Sequence, residues 1–267
     1  MSDNHENSIV FERKIERLKT LILKSNSMVV FTGAGVSTLS GIPDFRGKNG
    51  LYTDQWHSMP VEEILSISFF DKHPELFYQW AKDVWYHLED YQPNIVHTTL
   101  ASMEAKGYVK GLYTQNIDML HRRAGSKNVY EVHGSAKNHH CRNCNKYFDY
   151  IEIADKVRDG IVPRCDQCGG IIKPDIVFYG ENLDSFILER AYQQFSTTDL
   201  CLVLGSSLSV QPAASFPYYA TRNGAPLVIV NAQETNQDTV ATLRFSDLEQ
   251  TFKALSSWFE TVEPKNN

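Results

Sequence analysis

Four cysteines in two closely spaced pairs carry the clearest chemical signal in the sequence. Cys141 and Cys144 form one Cys-x-x-Cys pair, and Cys165 and Cys168 form a second pair after twenty intervening residues. Each pair can hold a metal ion from a tight knuckle, and four thiolates complete the tetrahedral shell of Zn²⁺ with no position left for substrate. The spacing therefore predicts one structural zinc ion per chain. Two disulfide bonds are the alternative, which an intracellular location disfavours.

A glycine turn after an apolar run is the second signal. The β-branched and aromatic run at residues 29–32 leads into Gly33 and Gly35, which is typical of a buried parallel strand that ends in a phosphate-binding loop. Without a Cβ, these glycines let a pyrophosphate approach the main chain closely. The dehydrogenase fingerprint is incomplete, because Thr38 stands where its third glycine is expected. The turn therefore indicates nucleotide binding and disfavours hydride transfer.

The next stretch, residues 38–56, is predicted to be a loop that can close over a bound dinucleotide. It places Asp44, Phe45 and Arg46 directly after Pro43 and between glycines. The planar guanidinium of Arg46 can pair with phosphate, and Asp44 can order the loop through the backbone.

Several stretches resemble, in the same order along the chain, the motifs of the sirtuins, which are NAD-dependent protein lysine deacylases. These stretches are GAGVSTLSGIPDFRG, TQNIDMLH, HGS, the two Cys-x-x-Cys pairs, KPDIVFYGE, GSSLSVQPAA and VIVN. The resemblance extends over residues 10–260. It implies that NAD is a cosubstrate and that the acetyl group of acetyl-lysine is transferred to ADP-ribose. Nicotinamide and 2′-O-acetyl-ADP-ribose would be the released products.

The resemblance also implies the catalytic residues and the NAD contacts. His133 matches the general base that activates a ribose hydroxyl, a role that suits an imidazole titrating near neutral pH. Asn116 and Asp118 match residues that hold a water and the nicotinamide carboxamide, and Phe45 would block the return of nicotinamide. The implied NAD contacts are Gly33, Ala34, Gly35, Thr38, Asp44, Phe45, Arg46, Gln115, Asn116, Ile117, Asp118, His133, Gly205, Ser206, Ser207, Asn231 and Leu248.

The acetyl-lysine protein or peptide is implied to bind as an added strand between residues 177–181 and 208–210. Main-chain hydrogen bonds would then give affinity with little sequence preference. The implied peptide contacts are Val177, Phe178, Gly180, Glu181, Ser209 and Val210. Ser209 and Gln211 replace the valine and tyrosine that are common in sirtuins, which leaves the peptide preference open.

The acyl group is expected to be neutral. Sirtuins that prefer succinyl-lysine or malonyl-lysine carry a Tyr-x-x-Arg pair whose guanidinium meets the acyl carboxylate, whereas here Tyr78 is followed by Ala81 at the matching place. Burying a carboxylate without a cation is costly. The sequence therefore predicts an acetyl group or a somewhat longer uncharged one.

Strand-like runs alternate with helical patterns, which predicts an α/β fold with a doubly wound parallel Rossmann-like sheet. A small zinc-ribbon subdomain and a helical module are expected as insertions. The expected strands are residues 29–32, 108–113, 129–132, 175–178, 200–204 and 227–230. Ligands collect at the carboxyl ends of such strands, which is where Gly33, Gln115, His133, Gly205 and Asn231 fall.

The expected divisions of the chain follow from these patterns. The Rossmann-like domain is expected in three parts, residues 1–51 (with the cofactor loop 38–56), 106–136 and 174–267. The helical module is expected at residues 52–105 and the zinc ribbon at residues 137–173. His97 and Cys201 are interpreted as structural residues.

Composition excludes some classes of function. The 267 residues carry 26 basic and 32 acidic side chains, a net charge of −6, and no basic run is interleaved with aromatics, so nucleic-acid binding is not expected. No apolar run reaches the ~18 residues of a membrane span, and no secretory signal is recognised. We expect a monomeric cytoplasmic protein that does not bind membranes.

Five interpretations of the site compete. A protein lysine deacetylase is favoured, because His133, Asn116 and Asp118 are all present. Mono-ADP-ribosyl transfer uses the same cleaved NAD and stays open, as does removal of other neutral acyl groups. A zinc-ribbon interaction protein that only senses NAD, and a dehydrogenase, are less favoured.

Overall fold

The computed structural model describes residues 2–44 and 55–265. The strands in these residues are β1 (Met28–Thr32), β2 (Gln55–Trp56), β3 (Met59–Pro60), β4 (Val109–Thr114), β5 (Val129–Glu131), β6 (Gly134–Cys141), β7 (Tyr147–Asp149), β8 (Ile172–Ile176), β9 (Leu200–Leu204), β10 (Leu227–Val230) and β11 (Leu243–Phe245). The α-helices are α1 (Ser2–Lys24), α2 (Ala34–Ser37), α3 (Val61–Ile64), α4 (Ile67–Lys72), α5 (Pro74–Val84), α6 (Ile95–Ala105), α7 (Leu120–Arg123), α8 (Tyr150–Arg158), α9 (Ser185–Thr197), α10 (Phe216–Arg222) and α11 (Leu248–Phe259). None of these helices combines the length and the apolarity that crossing a membrane requires.

Six parallel strands form the large sheet, in the order β11-β10-β9-β1-β4-β5. Counted in chain order from the β5 edge, these strands stand as 3-2-1-4-5-6, which is the doubly wound Rossmann arrangement. The predicted fold class is confirmed. The order reverses beside β1, so a crevice for ligand opens at the carboxyl ends of β1 and β9.

Strand β1 is buried on both faces, and its side chains alternate between two cores. Met28 and Val30 pack in a core that includes residues of α1, α6 and α11. Val29 and Phe31 pack on the opposite face with residues of α9 and α10. The two helical layers hold the central strand rigidly, so the turn that follows it has a fixed position.

A separate antiparallel sheet with the order β7-β6-β8 carries the cysteines. The prediction that residues 175–178 form a strand of the parallel sheet is wrong, because β8 pairs with β6 and places Ile172 beside Cys141. An apolar run can indicate a strand, but it does not identify the sheet that the strand joins. The sequence of β6, GSAKNHHC, has no apolar run that would have revealed this partner.

The helices of the predicted helical module divide between two cores. Phe70, Phe77 and Tyr86 share a core with Phe148 and Tyr150 of the cysteine-bearing region. Helix α6 packs instead against the large sheet. The predicted domain boundaries stay predictions, but the shared core makes α3–α5 and the antiparallel sheet one packing unit.

Candidate active site

A cavity of about 970 Å³ lies at the carboxyl edge of the large sheet and reaches the segment that follows β8. Residues from both predicted sets line it together. From the predicted NAD contacts, the lining includes Gly33, Ala34, Gly35, Thr38, Asp44, Gln115, Asn116, Ile117, His133, Gly205, Ser206, Ser207, Asn231 and Leu248. From the predicted peptide contacts, it includes Val177, Phe178, Gly180, Glu181 and Val210. One cavity therefore joins the two predicted subsites.

Among the residues that the structure describes, two predicted contacts are not part of this lining. Asp118 is buried behind it, and exposed Ser209 lies outside it, within hydrogen-bond distance of Ser207 (Oγ to Oγ 2.8 Å). Phe45 and Arg46 lie outside the described residues. The predicted roles of Phe45 and Arg46 stay predictions.

Several lining residues are not predicted from the sequence, among them Leu65, Trp85 and Asp247. Trp85 belongs to an aromatic-rich stretch in which nothing marks one ring as a wall of the cavity. The sequence around Asp247 does indicate the start of a helix. It is the N-cap of α11, where its Oδ1 accepts a hydrogen bond from the Gln250 amide at 2.8 Å, and Asp before an apolar helix is a recognisable N-cap.

Close contact between two glycine turns forms the floor of the crevice. The Gly35 amide donates a hydrogen bond to the Gly205 carbonyl at 2.9 Å. A Cβ on Gly33 would come within 2.7 Å of that carbonyl oxygen, and a Cβ on Gly205 within 2.5 Å of the Val36 amide nitrogen. Gly205 also has φ +60, which disfavours other residues. The absence of side chains therefore lets the two turns touch, and both turns line the cavity, where a pyrophosphate needs close approach to the main chain.

Replacing Gly205 by alanine is expected to weaken NAD binding by about tenfold to a hundredfold, because an added Cβ displaces one glycine turn from the other. Calorimetry with NAD measures the loss. Gly224→Ala is the matched control, since Gly224 has a similar φ of +82 but no neighbour within 4 Å of the added Cβ. Equal losses in the two variants, or wild-type affinity in folded Gly205→Ala protein, would contradict this assignment.

A buried polar chain stands behind the cavity wall. Asn116 Nδ2 donates to the Gly33 carbonyl at 3.0 Å and to Ser37 Oγ at 3.0 Å. Ser37 Oγ in turn donates to Asp118 Oδ2 at 2.5 Å, and Asp118 Oδ1 accepts from the Leu120 amide at 2.9 Å. Burial raises the pKa of Asp118, although the hydrogen bond from Ser37 opposes this shift. Asp118 therefore fixes Asn116 through Ser37, which the sequence analysis did not single out.

His133 is held by one ring nitrogen. Its Nδ1 lies 3.2 Å from the Gln115 carbonyl oxygen. Because a carbonyl only accepts hydrogen bonds, Nδ1 carries the proton in the neutral ring, and Nε2 has the lone pair that a base needs. Gln115 is itself fixed, since its Nε2 donates to Ser206 Oγ at 2.8 Å. The geometry fits the predicted role of His133 as a general base.

Three other histidines are buried away from the cavity and remain neutral. Burial lowers the pKa of His97 to about 4, of His139 to about 3, and of His121 well below its ordinary value. His97 Nδ1 accepts from the Asn94 amide at 3.2 Å in the capping box of α6, which confirms its interpretation as a structural residue. Low proton affinity makes these imidazoles unsuited to base catalysis near neutral pH.

The four paired cysteines meet in space. No disulfide bond joins any of the five cysteines. The Sγ atoms of Cys141 and Cys168 are 3.4 Å apart, and all four paired sulfurs lie within 4.8 Å of one another. Tetrahedral corners around Zn²⁺ with Zn–S bonds of ~2.3 Å lie about 3.8 Å apart. The cluster therefore fits zinc, whereas Cys201 lies apart in the core of the large sheet.

The charged side chains in the described cavity lining are acidic. Among the lining residues that the structure describes, none is lysine or arginine, and four are acidic: Asp44, Glu181, Asp247 and Glu249. Tyr78 and Ala81 are buried and do not line the cavity; the Tyr78 hydroxyl donates to the Ile172 carbonyl at 2.6 Å. A negatively charged acyl group would find no lysine or arginine among these described lining residues.

The fold and the site define a Rossmann-type dinucleotide-binding protein with a cysteine-bound metal module. The model of the Sir2 family matches residues 33–212. An NAD-dependent protein deacetylase of Thermotoga maritima is 43% identical over 87% of this chain and 93% of its own length. NAD-dependent protein deacylase 2 of Archaeoglobus fulgidus is 41% identical over 86% of this chain and 89% of its own length. The chain belongs to the Sir2 family, the sirtuins, as predicted.

Solved structures show the same fold. A Sir2 protein in complex with p53 peptide and NAD⁺ superposes with a TM-score of 0.84 at 40% identity, covering 92% of this chain and 99% of that one. A Sir2 protein bound to a propionylated peptide gives a TM-score of 0.81 at 39% identity, covering 92% and 97%.

Proposed function

We propose that this chain is an NAD-dependent protein lysine deacetylase that transfers the acetyl group to ADP-ribose and releases nicotinamide. The observation that carries the proposal is one cavity in which the glycine turns and the anchored His133 face the segment after β8. The relatives from Thermotoga maritima and Clostridium acetobutylicum, both named NAD-dependent protein deacetylase, support it at 43% and 45% identity. So does the solved Sir2 complex with p53 peptide and NAD⁺.

In this mechanism the glycine turns hold NAD, which supplies a glycosidic bond that breaks with loss of nicotinamide. Main chain at Gly33, Gly35 and Gly205 faces the pyrophosphate, and Gln115 and Ser206 present polar atoms beside the ribose. Leu248 and Asn231 line the end of the cavity assigned to adenosine. Fixing the ribose relative to the acyl oxygen is itself a large catalytic contribution, because it removes the need to orient two reactants during the reaction.

His133 is assigned the role of general base at the ribose. Its Nε2 accepts a proton from a ribose hydroxyl, while Nδ1 keeps its proton on the Gln115 carbonyl. That bond keeps the ring in the tautomer that catalysis needs and stabilises the imidazolium that forms. Asn116, fixed by Gly33 and Ser37, is assigned to hold a water. The predicted contact of Asp118 with the nicotinamide carboxamide stays a prediction, because Asp118 is buried behind the cavity wall and both its oxygens accept hydrogen bonds there.

The peptide is assigned to the groove between residues 177–181 and 208–210. The inner edge of the first segment is already paired, since the Tyr179 amide donates to the Leu65 carbonyl at 2.8 Å and the Ile67 amide donates to the Tyr179 carbonyl at 3.0 Å. Addition of a strand from the substrate would extend this pairing with main-chain hydrogen bonds. The monomeric state and the cytoplasmic location stay predictions.

The acyl preference gives a direct prediction. Turnover of a succinyl-lysine peptide is expected to be at least about a hundredfold less efficient than that of the acetyl-lysine peptide, because its carboxylate would be desolvated without a cation. Propionyl-lysine, which is neutral, is expected to stay within about tenfold of acetyl-lysine. Paired kcat/KM values on one peptide sequence measure both ratios. Comparable rates on succinyl-lysine and acetyl-lysine would contradict the assignment.

The proposed reaction is tested by mass spectrometry of an acetyl-lysine peptide with and without NAD. Deacetylation predicts loss of the acetyl mass only when NAD is present, with nicotinamide released in equal amount. A peptide that gains an ADP-ribosyl group would favour mono-ADP-ribosyl transfer. Formation of reduced cofactor, detected by its absorbance, would favour a dehydrogenase. Absence of every reaction in zinc-loaded protein would favour NAD sensing.

A further inference from the structure

A buried lysine lies directly behind the wall of the peptide groove. Lys173 is on β8, with only 7% of its surface exposed. Its Nζ donates to the Ile176 carbonyl at 2.7 Å and to the Pro174 carbonyl at 3.2 Å, and it lies 2.9 Å from Glu181 Oε2. The three hydrogens of the ammonium group are therefore matched by three acceptors. The same nitrogen lies 4.0 Å from the centre of the Phe178 ring, within the range of a cation–π contact.

Glu181 closes the segment around this ammonium group. Its Oε2, which pairs with Lys173, also accepts a hydrogen bond from the Phe178 amide at 2.8 Å. The Glu181 amide donates to the Phe178 carbonyl at 3.0 Å. Residues 176–181 thus fold back on themselves, with the lysine at the centre of the turn.

The opposite side of this segment is the cavity. All six residues from Ile176 to Glu181 line it, and the Val177 amide donates to the His133 carbonyl at 2.9 Å. The path of residues 176–181 therefore sets both the groove edge and its distance from the proposed base. Lys173 needs these partners, because an ammonium group left unpaired in the interior is strongly unfavourable.

We propose that Lys173 and Glu181 form a positioning pair that fixes the peptide-binding segment, so that the pair governs peptide affinity rather than NAD affinity. This inference rests on the proposed function, since it assigns the groove to the acyl-lysine peptide. Neither side chain takes part in the reaction. Lys173 acts through Phe178 and Glu181, and Lys173 itself does not line the cavity.

The test uses full-length, zinc-loaded protein and an acetyl-lysine peptide with a fluorescent label. Lys173→Met removes the charge while keeping the length of the side chain, and it is expected to raise the peptide KM and the directly measured peptide Kd about tenfold. The Kd of NAD is expected to stay within about twofold. Lys173→Arg, which retains the charge, is expected to restore most of the peptide affinity. Lys156→Met is the matched control, because Lys156 pairs with Glu152 on the exposed face of α8 at 3.2 Å.

Glu181→Gln keeps the shape of the partner and tests the pair independently if Lys173→Met does not fold. It is expected to raise peptide Kd about threefold, and the double variant is expected to lose less than the product of the single effects, because the two groups are coupled. Unchanged peptide Kd in both folded single variants would overturn the inference. Equal losses of peptide and NAD affinity would overturn it too. The peptide Kd is measured without turnover. An inactive wild-type protein would therefore contradict the proposed function, and the comparison of peptide Kd values among the variants would still test the positioning pair.

Discussion

Replacing His133 by alanine is expected to lower kcat for deacetylation by about a hundredfold to ten-thousandfold, which is the usual contribution of a positioned general base. The ring lines the cavity, and its Nδ1 is fixed on the Gln115 carbonyl at 3.2 Å, so Nε2 is the nitrogen that can receive a proton. NAD and peptide affinities are expected to change by no more than about threefold, because His133 acts as a base only after both substrates are bound. Steady-state kinetics and calorimetry separate the two effects.

His87→Ala is the control for this variant. The His87 side chain is 44% exposed and its nearest charged partner is Asp90, 3.7 Å away, so wild-type kinetics are expected. If His133→Ala kept wild-type kcat, or if its loss were entirely a loss of NAD affinity, His133 would not be the base.

Removing zinc is expected to abolish activity, although the metal site takes no part in the chemistry. Metal binding in small cysteine modules contributes ~10–16 kcal/mol to folding, which is comparable to the whole stability of a domain, ~5–15 kcal/mol. Cys141 and Cys165 lie in the same core as Phe178 and the aromatic side chains of α4 and α5. Loss of the metal should therefore disorder the wall of the peptide groove together with the antiparallel sheet.

The measurement combines chelation, metal analysis and circular dichroism. One zinc ion per chain is expected, with helical signal and activity lost together on chelation and recovered when zinc is returned. Cys144→Ser should behave like chelated protein. Cys201→Ala should keep both zinc and activity, since Cys201 is buried on β9 away from the cluster. A chelated protein that stays folded and active would contradict the structural role of the metal.

The parts of the fold that were predicted well from the sequence are those in which the local residue pattern is enough to determine the position in the fold. Val30 and Phe31 sit in an apolar run that only a strand buried on both faces explains, and Gly33 follows where the chain must turn. The paired cysteines predicted the metal cluster because the spacing within each pair brings two sulfurs together and two such pairs are typical of a zinc site.

The errors arose where position depends on a distant partner. Residues 175–178 were placed in the wrong sheet because β6, the actual partner of β8, is polar in sequence. Ser37 was overlooked because a serine in a glycine-rich turn usually makes only local hydrogen bonds, whereas here it links Asn116 to Asp118. Nothing in the local sequence marks Lys173 as buried, and its position against Phe178 follows only from the fold.

The most direct test of the account follows the acetyl group itself. An acetyl-lysine peptide carrying carbon-13 in both acetyl carbons is incubated with NAD, and the small products are weighed by mass spectrometry. The account predicts that both labelled carbons appear on O-acetyl-ADP-ribose, in an amount equal to the nicotinamide released, and that His133→Ala protein forms almost none. Label that appears from the first turnover only as free acetate, or that stays on the peptide while NAD is cleaved, would contradict it.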